Sequence, residues 1–235
     1  TDSVTVIGVP YTSFSGLDTS YCVDDSNAVV LTGTPSGGTF TGNGISGNTF
    51  TPSSAGIGNQ SITYTFTDGN GCINSQNQSA TVNSLPALTF SGLDTSYCVN
   101  GSDVSLSGFP SGGTFNGTGI SGNTFSPSTA GIGNHSITYT YTDGNSCTNS
   151  ITINTMVNNG PVVSFSGLAT GYCENAPSVV LTGNPTGGNF SGTGISGNSF
   201  FPSIAGVGTY SILYTYSDGN NCTNSQAQSV DVYSS

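Results

Sequence analysis

One stretch of sequence occurs three times in this chain of 235 residues. Phe14-Ser15-Gly16-Leu17-Asp18-Thr19-Ser20-Tyr21-Cys22 returns from Phe90, and again as Phe165-Ser166-Gly167-Leu168-Ala169-Thr170-Gly171-Tyr172-Cys173. The offsets are 76 and 75 residues. Each copy continues through Gly-Gly-(Thr/Asn)-Phe, Gly-Ile-Ser-Gly-Asn and Tyr-Thr-(Phe/Tyr)-(Thr/Ser)-Asp-Gly-Asn to a second cysteine. A fixed period of this length belongs to small domains in series, which usually bridge, space or adhere rather than catalyse. The expected domains are 11–85, 86–160 and 161–235. Residues 1–10 read as the last strand of a preceding repeat, or as an N-terminal strand, because Ser3-Val4-Thr5-Val6 matches Ser79-Ala80-Thr81-Val82 and Ser229-Val230-Asp231-Val232. That match, and a start at Thr1 without a signal peptide, read as a mature or excised piece of a longer protein.

The chain has no lysine and no arginine, and its formal charge is −11. Nucleic acid is therefore not an expected partner, since phosphate neutralisation needs Lys or Arg. An anionic membrane surface and phosphate-handling chemistry are disfavoured for the same reason. No apolar run approaches the roughly 20 residues of a membrane helix, so no direct membrane insertion is expected. With charged residues at 5%, solubility has to come from Ser, Thr, Asn and Gly. Lys–Asn isopeptide cross-links, one way of bracing surface domains, are impossible here.

Cross-linking falls instead to six cysteines, two per repeat: Cys22 and Cys72, Cys98 and Cys147, Cys173 and Cys222. Six cysteines allow 15 connectivities. The repeat favours one of them, a structural disulfide within each copy. A 75-residue module has a small core and gains from such a staple, at roughly 4 kcal/mol for a loop of about 50 residues. Zinc would need grouped ligands at short spacings, which these pairs do not supply. Disulfides in turn imply an oxidising, extracellular compartment.

Strong helix formers are scarce, so the chain reads as all-β. In Gln60-Ser61-Ile62-Thr63-Tyr64-Thr65-Phe66-Thr67 the apolar side chains alternate with polar ones, the period of a strand with one face in a core. Asp68-Gly69-Asn70 follows as a turn, with Asp-Gly supplying the positive φ of a tight hairpin, and Cys72 opens a last strand ending near Val82. Upstream, Thr12–Leu17, Ala28–Thr32, Thr39–Thr41 and Asn48–Thr51 complete about seven short strands per repeat, the count of a β-sandwich. The linkers at Ser84-Leu85-Pro86 and Asn158-Asn159-Gly160-Pro161 are short and carry proline, which predicts a semi-rigid array.

The run Tyr-Cys, Gly-x-Pro-x-Gly-Gly-x-Phe-x-Gly-x-Gly-Ile-Ser-Gly-Asn-x-Phe-x-Pro, Ala-Gly-x-Gly and Asp-Gly-Asn-x-Cys resembles the Ig-like or PKD-like repeats of large Bacteroidota surface proteins. The resemblance spans Phe14–Val82, Phe90 to about Val157 and Phe165–Val232, nearly the whole chain. It implies tandem Ig-like β-sandwiches of an adhesin or gliding-motility surface protein exported by type IX secretion. The C-terminal sorting domain usual in such proteins is not in this sequence.

Little in the chain points to a reaction. Gly42-Asn43-Gly44-Ile45-Ser46-Gly47 and its copies match G-x-G-x-x-G, but a dinucleotide site needs a helix after the motif, and here a short strand containing Phe50 is expected. His135 is the only histidine, and Gln60 and Tyr210 hold its place in the other repeats. It is expected on a strand surface rather than in a Ser-His-Asp arrangement. Asp24 and Asp25 are adjacent, so on a strand they point to opposite faces and cannot pair across a glycoside. A bridge within the repeat would bring Asp18, Asp24 and Asp25 towards Asp68, and Asp94 towards Asp143, making calcium the only metal worth testing. Ala169 stands where the others have Asp18 and Asp94, which argues against it. No cofactor is expected. Tyr64, Tyr139 and Tyr214 are expected to make a hydrogen bond like that of a tyrosine corner. Thr-rich strand faces read as solubilising rather than ice-binding.

The sequence thus predicts a non-enzymatic, structural or adhesive segment of a long cell-surface protein, acting as a semi-rigid stalk or spacer. The alternatives are a subunit of a self-assembling extracellular filament and a carbohydrate-binding module of a secreted protein. Partners would be neighbouring repeats of the same or identical chains, and surface glycans or proteins.

Overall fold

The computed structural model describes residues 6–235. Part of the strand expected over residues 1–10 lies outside the described residues, and residues 6–10 form no strand. The remainder is all-β, with 27 short strands and three four-residue helices among the described residues, in three repeated units.

In the first repeat the strands are β1 (Ser13–Ser15), β2 (Ser20–Cys22), β3 (Val29–Val30), β4 (Thr32–Thr34), β5 (Thr39–Thr41), β6 (Ile45–Ser46), β7 (Thr49–Phe50), β8 (Gly58–Thr67) and β9 (Ile73–Asn83). Helix α1 (Pro52–Ala55) lies between β7 and β8. The long hairpin β8–β9 is the backbone of a four-stranded sheet in the order β2-β9-β8-β5. β5 pairs antiparallel with β8, and β2 pairs parallel with the end of β9 through Tyr21↔Val82. Two smaller sheets, β1-β4 and β3-β7-β6, complete the repeat.

The period-two pattern in β8 sends Ile62 and Tyr64 inward, where they meet Phe14, Tyr21, Leu31, Phe50, Ala80 and Val82. Each such aromatic or branched side chain contributes about 1.5–3 kcal/mol on full burial. This core, drawn from the large sheet and both small ones, makes the repeat an Ig-like sandwich. The third repeat has the same layout. Gly171–Cys173 pairs parallel with the end of Thr223–Tyr233, Gly208–Ser217 pairs antiparallel with that strand, and Asn189–Ser191 pairs with Gly208–Ser217. Its core is built from the equivalent Phe165, Leu181, Phe200, Ile212, Tyr214, Val230 and Val232, joined by Val163. In the middle repeat Ser96–Cys98 again runs parallel to the end of Thr148–Asn158. The residues gather into two compact units. One holds those up to Phe90 with Ser107–Thr114 and Tyr139–Ile151, and the other holds Ser91–Leu106, Phe115–Thr138 and Thr152–Ser235.

Three local expectations need correction. Each repeat has nine strands and a helical turn, not seven strands. The turn is a Pro effect: Pro52 sits at the first helical position, where its missing N–H costs nothing, and Gly56 ends the turn at φ 82°. Next, Ala28–Thr32 is not one buried strand. Val29–Val30 pairs with β7 and Thr32–Thr34 with β1, so the chain changes sheets at Leu31. Leu31 is buried between them and its N–H donates to Asn48 O at 2.7 Å. Finally, the positive φ of the β8–β9 loop is not at Gly69. It lies at Gly71 (81°), and at Ser146 (68°) and Asn221 (61°) in the other repeats. The loop has five residues, since Thr67 faces Ile73, and it reverses at its fourth position.

Candidate functional site

The cysteines do not pair within repeats. Cys22, at the end of β2, is bonded to Cys147, which immediately precedes the last strand of the second repeat, Thr148–Asn158, with Cα atoms 5.5 Å apart. Cys98 is bonded in the same way to Cys222 of the third repeat, again at 5.5 Å. The expected bridges Cys22–Cys72, Cys98–Cys147 and Cys173–Cys222 are therefore replaced by one rule: the first cysteine of a repeat takes the second cysteine of the next. Cys72 and Cys173 remain free. The physical reason lies in the sheet. β2 pairs with the far end of β9, through Cys22↔Asn83, whereas Cys72 precedes the first residue of β9. The 11 residues of β9 hold the two cysteines of one repeat apart, about 3.3 Å per residue along an extended strand. No side-chain movement spans that, because a disulfide needs Cα atoms within about 7 Å.

Each second cysteine is positioned by an aspartate. Asp68 Oδ1 accepts from the N–H groups of Asn70 (2.8 Å) and Cys72 (2.9 Å). Asp143 does the same for Asn145 and Cys147, and Asp218 for Asn220 and Cys222. The amide of Cys72, followed by that of Asn70, holds the Asp68 carboxyl below its usual range. Each first cysteine follows a tyrosine whose hydroxyl accepts an N–H three residues back: Asp18 to Tyr21 (2.7 Å), Asp94 to Tyr97 (2.7 Å) and Ala169 to Tyr172 (2.8 Å). The contact uses only the backbone of that residue, which explains why alanine serves at position 169. Burial pushes the Tyr21 and Tyr97 hydroxyls up from their ordinary value.

The calcium candidates Asp25, Asp68 and Asp143 spend carboxylate oxygens on their own turns. Asp68 and Asp143 are committed to their turns, Asp25 Oδ1 accepts from Asn27 N and Nδ2 at 3.0 Å, and Asp18 and Asp94 contribute their amides. Among the described residues no three His, Cys, Asp or Glu side chains form a metal-binding group. The premise that a bridge draws Asp18, Asp24 and Asp25 to Asp68 falls with the pairing, since Cys22 joins the Asp143 turn instead. The Gly42–Gly47 motif makes turns, as expected: Ile45 faces Phe50 across β6–β7, and Gly47 (φ 60°) and Asn48 close that hairpin.

Two side-chain roles differ from expectation. Gln60, His135 and Tyr210 are not free surface side chains. Each reaches a carbonyl at the end of the helical turn: Gln60 Nε2 to Gly56 O (2.8 Å), His135 Nε2 to Gly131 O (2.8 Å) and the longer Tyr210 Oη to Ala205 O, one residue earlier (2.6 Å). Tyr64, Tyr139 and Tyr214 do hydrogen-bond back to the main chain, but across the sandwich. Tyr64 accepts from Gly38 N–H at 2.9 Å and donates to Pro35 O. The ring lies so close to β4 that a Cβ on Gly33 would sit 2.2 Å from its Cζ atom.

Linkers are anchored too. Asn74, Asn149 and Asn224 donate through Nδ2 to the carbonyls of Pro10, Pro86 and Pro161 at 2.8, 2.9 and 3.0 Å.

No protein-family model and no curated protein matches the chain. Among solved structures it is similar to a Ca2+-stabilised adhesin that helps an Antarctic bacterium bind ice, at 14% identity and TM-score 0.40, over 97% of this chain and 75% of that one. It is also similar to a 1.5-MDa bacterial ice-binding adhesin, at 12% identity and TM-score 0.34, over 97% and 99% of the two chains. A third is the immunoglobulin domains 1–5 of Sidekick-1, at 11% identity and TM-score 0.30, over 93% and 57%. No activity is carried over from them.

Proposed function

We propose that this chain is a non-catalytic, load-bearing segment of an extracellular adhesive protein, a stalk or spacer that holds a binding region away from a surface. The observation that carries this reading is the pair of disulfides linking successive repeats, Cys22–Cys147 and Cys98–Cys222. Each closes a loop of about 125 residues, which in the chain-entropy model is worth about 5 kcal/mol and requires an oxidising compartment. Their mechanical effect is larger. The shortest covalent route through the chain runs to Cys22, across to Cys147, back to Cys98, across to Cys222 and on to the end, which uses about a third of the residues. A pull on the chain therefore meets a covalent stop long before the repeats are drawn out. The lack of Lys and Arg, which removes every tryptic site, suits the same exposed setting. The resemblance to Bacteroidota surface repeats is consistent with gliding motility and type IX export.

Single-molecule extension between the termini tests this. A reduced chain should draw out to roughly 800 Å and an oxidised one to roughly 300 Å, at 3.3–3.6 Å per residue. Equal contour lengths in the two states would end the load-bearing reading.

A further inference from the structure

We propose that the groove between the β4–β5 loop and the β6–β7 hairpin, formed in the first repeat and again in the third, binds an uncharged polysaccharide. In the first repeat it encloses about 530 Å3, within the roughly 300–1,000 Å3 of small-molecule sites. Its buried part is apolar: Leu31 and Tyr64 are each 1% exposed, and Phe40 and Ile45 are half-buried. Its exposed part is polar, with Thr32, Ser36 and Asn48. The third repeat builds a smaller groove, about 200 Å3, from the same positions. There Leu181, Phe190 and Tyr214 supply the apolar part, and Thr182, Thr186 and Asn198 the polar part.

Both walls are fixed without a ligand. Tyr64 Oη accepts from Gly38 N–H at 2.9 Å and donates to Pro35 O, which pins the β4–β5 loop. Leu31 N–H donates to Asn48 O at 2.7 Å, which pins the hairpin. In the third repeat Tyr214 Oη accepts from Gly188 N–H at 2.8 Å, and Leu181 N–H donates to Asn198 O at 2.7 Å. Phe40 is braced by Phe14 and Tyr64 at ring-centroid distances of 5.3 and 4.6 Å, and Phe190 by Phe165 and Tyr214 at 5.3 and 4.5 Å. A groove already in shape spares its ligand the cost of ordering it. The space over Gly37 and Gly47 is open, since an added Cβ would meet nothing within 4 Å at either.

The chemistry of the walls selects the ligand. No charged side chain lines either groove, and the whole chain carries −11. A charged ligand group would give up its hydration with no counter-charge in the groove, and an acidic polysaccharide would be repelled as well. The exposed hydroxyls and carboxamides both donate and accept, as the hydroxyls of a sugar do. None of them has a hydrogen-bond partner among the described residues. Phe40 and Ile45 offer the apolar contact that the C–H face of a pyranose ring takes. A peptide is served less well. Strand addition needs a free run of backbone, and β4 has three residues before Pro35, which has no N–H. Two grooves of one design suit a ligand that repeats its own unit. This site is additional to the load-bearing role and does not rest on it.

The test titrates the oxidised chain with six-unit oligosaccharides of cellulose, mannan, xylan and chitin, and follows the backbone amide signals of Gly37 and Gly187 by NMR. At least one sugar should bind and shift both signals. S36A/N48A should weaken the response at Gly37 roughly tenfold or more and leave Gly187 unchanged, and T186A/N198A should do the reverse. The four side chains are exposed and without partners, so both variants should keep the unfolding midpoint of the parent chain. Binding by none of the four sugars, binding that leaves Gly37 and Gly187 unmoved, or an equal response to an oligogalacturonate or a threonine-rich peptide would each overturn the proposal. Each of those results would leave the Cys22–Cys147 and Cys98–Cys222 bridges, and the load-bearing reading built on them, as they stand.

Discussion

Cys22 and Cys147 are bonded at a Cα separation of 5.5 Å although 125 residues separate them in the chain. The bond joins the end of β2, held parallel to the tail of β9, to the five-residue turn that Asp143 organises in the second repeat. Sheet register and turn geometry thus meet at one pair of sulfur atoms.

The first prediction follows from that pair. Digestion with chymotrypsin without reductant should release peptides linked Cys22–Cys147 and Cys98–Cys222, with Cys72 and Cys173 alkylated. Cys147→Ser should free Cys22 to alkylation and lower unfolding stability by about 2–5 kcal/mol, read by denaturant titration. Peptides linked Cys22–Cys72 would contradict the pairing.

Tyr64 serves both a donor and an acceptor on the loop around Pro35, and its ring fills the space that Gly33 leaves open. Tyr64→Phe keeps the ring and orphans Gly38 N–H and Pro35 O, which should cost about 1–3 kcal/mol. Gly33→Ala should cost more, because the new methyl meets the ring and neither can move. Thermal unfolding of the two variants orders them; a neutral Gly33→Ala would refute the close packing.

The Asp68 carboxyl is held low by the amides of Cys72 and Asn70. A group lowered in the folded state contributes stability above its unfolded value, around 4, and loses it as pH falls through the folded value. Protection of the Asn70 and Cys72 amides, measured against their intrinsic exchange rates, should therefore fall as the pH drops below about 4, and Asp68→Asn should abolish that acid step.

His135 stands in for Gln60 and Tyr210 as the donor to the end of the helical turn. His135→Gln should be tolerated within about 0.5 kcal/mol, while His135→Ala should cost about 1 kcal/mol by leaving Gly131 O without its donor. Equal unfolding midpoints for the two variants would show that the contact contributes nothing.

The sequence alone determined what is local or periodic. The 75-residue repeat, the all-β class, the inward set Ile62 and Tyr64 and the Asp68 turn all follow from residue type and spacing. These properties depend on neighbours along the chain, and a strand shows its buried face two residues at a time. Tertiary structure decided what depends on register between distant segments. Six cysteines at constant spacing pointed to a bridge within each repeat, and the structure joins successive repeats instead. The choice fell when β2 paired with the end of β9 rather than its beginning, setting Cys22 beyond reach of Cys72. The shared duty of Gln60, His135 and Tyr210 was hidden for a like reason: three unlike side chains reveal a common task only once the end of the helical turn presents a carbonyl to each of them, Gly56 O, Gly131 O and Ala205 O.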